Sequence, residues 1–158
     1  SVLLAKDLRN AETYSNILAD HHINAALLEI ELIETAAVSE FDCVKRLFAC
    51  FQEKNMQTSL DDFGAGYSLL NSVVDIPINT VKLDRSFLTR CTTNQRGLYF
   101  LQEIVNMVKG LGYQVICEGI ETKDQVDLMR SLGCDAAQGF WFSKAISTEA
   151  FEQKYMTD

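Results

Sequence analysis

The chain has 158 residues, 47% of them hydrophobic and 23% charged, with 22 acidic against 14 basic side chains and a net charge of −8. That size and balance suit one globular domain, or a piece of a larger one, with a sizeable core. No stretch approaches the roughly 18 consecutive apolar residues of a membrane span, the first residues lack the order of a signal peptide, and so acidic a chain is a poor match for polymeric nucleic acid, which demands clustered Lys and Arg.

In chain order, a helical pattern over Asp7 to Asp20 leads to an apolar run, Ala25 to Ile33, of strand character. A helix follows with Phe41, Val44, Phe48 and Phe51 on one face and Ser39 as its N-cap. Met56 to Leu60 reads as a short strand, followed by a glycine-containing loop and a short helix near Tyr67 to Val73. A strand at Thr80 to Leu83 precedes a long helix with Leu98, Leu101, Ile104, Val105, Val108 and Leu111 in register, punctuated by Gly110 and Gly112. Tyr113 to Cys117 is the next strand. Thr122 to Gln125 has the capping-box form and opens a helix that stops at Gly133. Ala136 to Phe142 reads as a fifth strand and Ser147 onward as a closing helix.

Repeated strand–helix units imply a parallel sheet covered by helices. An open doubly wound sheet and a closed (β/α)₈ barrel both fit, and length favours the open sheet, since a barrel needs at least about 200 residues. The five cysteines (Cys43, Cys50, Cys91, Cys117, Cys134) are odd in number, widely spaced and without a C-x-x-C pair. That argues against a disulfide framework or a zinc site and suits a reducing cytosol. The adjacent His21 and His22 read as solvated loop residues.

Nearly every strand ends in a polar residue. Glu31 and Glu34 end the first, Asp61 and Asp62 the second, Lys82 and Asp84 the third, Glu118 and Glu121 the fourth, and Gln138 lies in the fifth. Active sites of α/β folds form at these strand ends. Carboxylates delivered there by several strands repel one another unless cations sit between them, and oxygen ligands select Mg²⁺, Mn²⁺ or Ca²⁺ over zinc. Such cations would also let an acidic protein hold a small phosphate ligand. Acids at strand ends also cap the following helices, so helix capping competes with a metal site as their role.

Five segments carry a more specific likeness. Asp61-Asp62-Phe63-Gly64-Ala65-Gly66-Tyr67-Ser68, Val81-Lys82-Leu83-Asp84-Arg85-Ser86-Phe87, Glu118-Gly119-Ile120-Glu121-Thr122 and Gln138-Gly139-Phe140-Trp141-Phe142-Ser143 resemble, in order and spacing, motifs of the EAL phosphodiesterases. Glu31-Leu32-Ile33-Glu34 stands at the place of that family's E-x-T-E, with Ile33 for its usual threonine. The resemblance implies a TIM-like (β/α)₈ barrel of which residues 1–158 supply about the last five strand–helix units. The first three strands, the E-A-L motif and the asparagine of N-x-S would lie upstream of Ser1.

The resemblance further implies hydrolysis of cyclic di-GMP to the linear dinucleotide pGpG with two divalent ions, Mg²⁺ or Mn²⁺. Glu31, Asp61, Asp62 and Glu118 correspond to metal ligands. Lys82 corresponds to the group that orients or helps deprotonate the attacking water, and Gln138 to a neutral hydrogen-bonding group at the same site. Glu34, Glu121 and, with a weaker claim, Asp84 would support these from behind, and Gly64 and Gly66 would give the D-D-F-G loop its conformation. A degenerate member that binds cyclic di-GMP without cutting it, or a protein-interaction module, is the alternative. The domain is expected in the cytoplasm, in a parent chain that can be membrane-anchored and carry sensor or cyclase domains. Open sheet edges on five strands predict a homodimer.

Overall fold

A computed structural model of the chain describes residues 9–33, 41–64 and 73–156. The described elements are α1 (Arg9–Asp20), a 3₁₀ turn (Ala25–Leu27), β1 (Glu29–Ile33), α2 (Phe41–Glu53), β2 (Gln57–Phe63), β3 (Thr80–Leu83), α3 (Arg85–Cys91), α4 (Gln95–Gly110), β4 (Gln114–Cys117), α5 (Lys123–Ser131), β5 (Ala136–Ala137) and α6 (Thr148–Tyr155). Among them no helix is long and apolar enough to cross a membrane.

The strands form one parallel sheet in the order β1-β2-β3-β4-β5. A doubly wound sheet reverses its strand order at a switch point, whereas a barrel never does. The unbroken order is therefore that of a barrel segment, and it overrides the preference that length alone gave to an open sheet. The register puts Leu32, Leu60, Val81 and Val115 side by side on one face, all buried. Leu47, Phe48 and Phe51 of α2 and Leu101, Val105 and Val108 of α4 are buried in the same core. The opposite face carries Glu31, Ser59, Thr80 and Lys82. A parallel sheet is ordinarily apolar on both faces, so this polar face needs a reason other than stability.

Four sequence expectations need correction. The expected strand from Ala25 starts only at Glu29, because the Asn24 side chain accepts a hydrogen bond from Ala26 N at 3.1 Å and winds Ala25–Leu27 into a turn. The strand expected to end at Leu60 continues to Phe63. The seven-residue α3 was not anticipated. It buries only Phe87, Leu88 and Cys91, too short a run for periodicity to reveal. The fifth strand ends at Ala137, not Phe142: the amides of Phe142 and Ser143 turn back onto Gly139 O, leaving Phe140, Trp141 and Phe142 exposed. The expected helix near Tyr67 and the Ser39 cap lie outside the described residues.

The remaining boundaries match closely. Thr122 and Gln125 form the capping box of α5, and Ser147 caps α6. His21 and His22 lie in the exposed turn after α1. At the N-terminal end of the sheet the polar groups close on one another: Asn79 Oδ1 accepts from Thr58 N at 2.9 Å and from Thr58 Oγ1 at 3.0 Å. Polar residues there serve the fold.

Candidate functional site

The opposite end of the sheet is arranged differently. Glu31 comes from β1, Asp61 and Asp62 from the end of β2, Lys82 from β3, and Glu118 from the residue after β4. Successive strand residues point to opposite faces, so Asp61 and Asp62 should diverge. The pairing of β2 with β3 is broken by a register shift between Leu60 and Phe63, and Asp62 adopts a left-handed φ of 57°. A bulge of this kind re-aims a side chain. Asp62 N also donates to Asp61 Oδ1 at 2.9 Å. As a result one carboxylate oxygen each from Asp61, Asp62 and Glu118 lie within 4.8 Å of one another.

Lys82 is 6% exposed. Its ammonium donates to Glu31 Oε1 and forms an ion pair with Glu118 Oε1 at 3.1 Å. Burial alone would depress its pKa, but the hydrogen bonds and charges of Glu31 and Glu118 outweigh that and raise it above the ordinary lysine range. This arrangement favours the ammonium form of Lys82. Burial pushes the Glu118 carboxyl up, Lys82 opposes this, and the charges of Asp61 and Glu31 push it further up. The whole set thus holds excess negative charge at short range. Ser59, fully buried on the same face, has a hydroxyl with no hydrogen-bond partner among the described residues.

The other expected residues are placed as follows. Glu31 joins the site through Lys82 and is not in the three-carboxylate cluster. Gln138 follows β5, exposed, with its backbone fixed by Gln138 N to Cys117 O at 2.8 Å and Ile120 N to Gln138 O at 3.0 Å. Asp84 caps α3, accepting from Ser86 N at 2.8 Å. Burial works against its charge, but hydrogen bonds from Ser86, Phe87 and Arg85 hold its carboxyl below the usual range. Glu121 accepts a two-pronged ion pair from Arg85 at 2.6 and 3.0 Å, which ties the β4–α5 loop to α3. Gly64 has φ +92°, and a Cβ there would lie 2.5 Å from the Phe87 ring. Glu34 and Gly66 lie outside the described residues.

Sequence reasoning missed Arg85 and Arg90. Arg90 donates to Gly64 O at 2.5 Å and so clamps the end of the D-D-F-G segment. Arg85 stands within the motif over residues 81–87, but the partners of both arginines are distant in the chain and leave no local signal.

The family model described as the EAL domain matches residues 3–145. The signaling protein YkoW of Bacillus subtilis is 35% identical over 136 residues, 86% of this chain and 17% of that protein. The cyclic di-GMP phosphodiesterase NbdA of Pseudomonas aeruginosa is 34% identical over 129 residues, 82% of this chain and 16% of that protein. The solved PaMucR phosphodiesterase in complex with c-di-GMP superposes with a TM-score of 0.85 at 26% identity, over 96% of this chain and 61% of that one. The chain therefore spans less than two thirds of the length of each of these.

Proposed function

The chain belongs to the EAL domain family, and from that premise we propose that the domain it contributes to hydrolyses cyclic di-GMP to linear pGpG in a reaction dependent on divalent cations. The observation that carries this reading is the convergence of Asp61, Asp62 and Glu118. Three carboxylates so close are mutually repulsive; burial is the main influence raising the Glu118 carboxyl, and the charges of Asp61 and Glu31 add to it. A donor set made only of carboxylate oxygens fits Mg²⁺ or Mn²⁺. Asp61, Asp62 and Glu118, joined by Glu31, would hold two such ions. When bound, the ions would neutralise the phosphodiester and lower the pKa of the attacking water.

The protein's own groups do the rest. Lys82, whose ammonium pairs with Glu31 and Glu118, is suited to donate a hydrogen bond to the attacking water or to a phosphate oxygen. Its charge steadies the negative charge that builds on the phosphate oxygens as water attacks phosphorus. Gln138, neutral and exposed at the end of β5, is suited to hydrogen-bond the phosphate or the base. Glu121 and Asp84 do not reach the cluster. They fix the loop after β4 and the start of α3, on which the position of Glu118 depends.

We read the domain as cytoplasmic, part of a parent chain that can be membrane-anchored and carry sensor or cyclase domains, with two copies associating. The test is to incubate the full-length protein with cyclic di-GMP and Mg²⁺ or Mn²⁺, then again with a chelator, and resolve the products by ion-exchange chromatography. pGpG formed only with metal supports the reading. Tight nucleotide binding with no product under either condition would make the domain a receptor and overturn it.

A further inference from the structure

Cys117 and Cys134 lie 17 positions apart in the chain, yet their sulfurs stand 3.3 Å apart, with the Cys117 thiol donating to Cys134. Cys117 is the last residue of β4, fully buried, and directly precedes Glu118. Cys134 lies between α5 and β5 and is half-buried. Its surroundings are fixed: Lys109 Nζ donates to Gly133 O at 2.8 Å and to Asp135 Oδ1 at 2.7 Å, and Cys134 N donates to Met129 O at 3.1 Å. The hydrogen bond from Cys117 is the main influence holding the Cys134 thiol below the ordinary cysteine range.

We propose that Cys117 and Cys134 form a redox modification site that closes to a disulfide on exposure to hydrogen peroxide, and that closure weakens divalent-cation binding at the neighbouring carboxylate cluster. The Cys134 thiolate attacks the peroxide O–O bond and takes one oxygen as sulfenic acid. The other oxygen leaves as hydroxide and is protonated to water. The Cys117 sulfur then attacks the Cys134 sulfur, the S–O bond breaks, and a second water leaves. Two thiols are oxidised by two electrons and one peroxide is reduced. An accessible thiol of lowered pKa beside a resolving thiol is the arrangement such chemistry uses.

The effect on the cluster follows from geometry. A disulfide requires the sulfurs to approach from 3.3 Å to about 2.05 Å, and whatever part of that closure side-chain rotation does not supply is taken up by the end of β4 and the segment before β5. Glu118 is the next residue, and its amide is bound to Leu83 O at 3.0 Å. A shift of β4 there moves the Glu118 carboxylate relative to Asp61 and Asp62, which lie on β2 and do not follow. This second half rests on the metal-site reading above.

The test treats the full-length protein with hydrogen peroxide, blocks remaining thiols, and maps peptides by mass spectrometry without reduction. Mn²⁺ binding is measured by calorimetry on the same samples before oxidation, after it, and after dithiothreitol. The expected result is a Cys117–Cys134 cross-linked peptide, with Mn²⁺ affinity lowered about tenfold or more and restored by the reductant. Cys134→Ser should show neither change. Sulfinic or sulfonic acid on Cys134 without a cross-link would overturn the proposal. A cross-link with unchanged Mn²⁺ affinity would overturn its coupling to the cluster. If the reduced protein binds no Mn²⁺, the metal-site reading and the coupling both fall, while the peptide map still decides the disulfide.

Discussion

Lys82 Nζ stands 3.1 Å from Glu118 Oε1 while the same ammonium donates to Glu31, so one buried cation on β3 joins a carboxylate just after β4 to one on β1. Removing it should separate chemistry from binding. In Lys82→Met, kcat for cyclic di-GMP should fall by about 10²–10³-fold, the range for loss of one transition-state donor. The dissociation constant for the nucleotide, measured in Ca²⁺ to suppress turnover, should change by less than about tenfold. Unchanged kcat would remove Lys82 from the reaction.

The end of β2 is shaped by Gly64. Its φ of +92° is one that L side chains rarely adopt, and an added Cβ would lie 2.5 Å from the Phe87 ring. Gly64→Ala should destabilise the protein by about 1–3 kcal/mol through combined backbone strain and overlap. Urea denaturation followed by circular dichroism checks this. A midpoint equal to wild type would mean that the loop and α3 relax without penalty.

Asp84 supplies the cap of α3, and its substitution should be felt in a pH-dependent way. Asp84→Ala leaves Ser86 N without its acceptor and should cost about 1 kcal/mol at neutral pH. The native carboxyl is held below its unfolded value of about 3.9. Its contribution is therefore complete above about pH 4 and is lost as pH falls through the lower native value. The difference between wild type and variant, measured by denaturation at pH 7 and again near pH 3, should shrink in acid. A difference independent of pH would show that the charge plays no part.

How far the sequence carried this account differs from element to element. The long amphipathic helices α2 and α4 and the strands β3 and β4 were legible because periodicity and glycine punctuation agree there. Lys82, Glu118 and the aspartate pair were legible as polar residues at strand ends. What the sequence could not show was how Asp61 and Asp62 serve one site, since neighbouring strand residues should face apart. That depends on a bulge and a left-handed Asp62, both set by pairing with β3. Nor could it show the capping work of Asp84 or the Arg85–Glu121 pair, which need α3 and the β4–α5 loop in contact. The meeting of Cys117 and Cys134 was equally hidden, because it joins residues that share no spacing pattern.

The central claim is that the carboxylates at the strand ends hold the cations on which cyclic di-GMP hydrolysis depends. Its most direct test is the rate of pGpG formation as a function of free Mn²⁺, for the full-length wild type and for Glu118→Gln, which keeps the shape of the side chain but removes its charge. The account predicts saturable activation of the wild type from a baseline near zero in chelator, and a rate at least about 100-fold lower for the variant at the same metal concentration. Turnover that persists in chelator, or a variant that matches the wild type at every Mn²⁺ concentration, would contradict it.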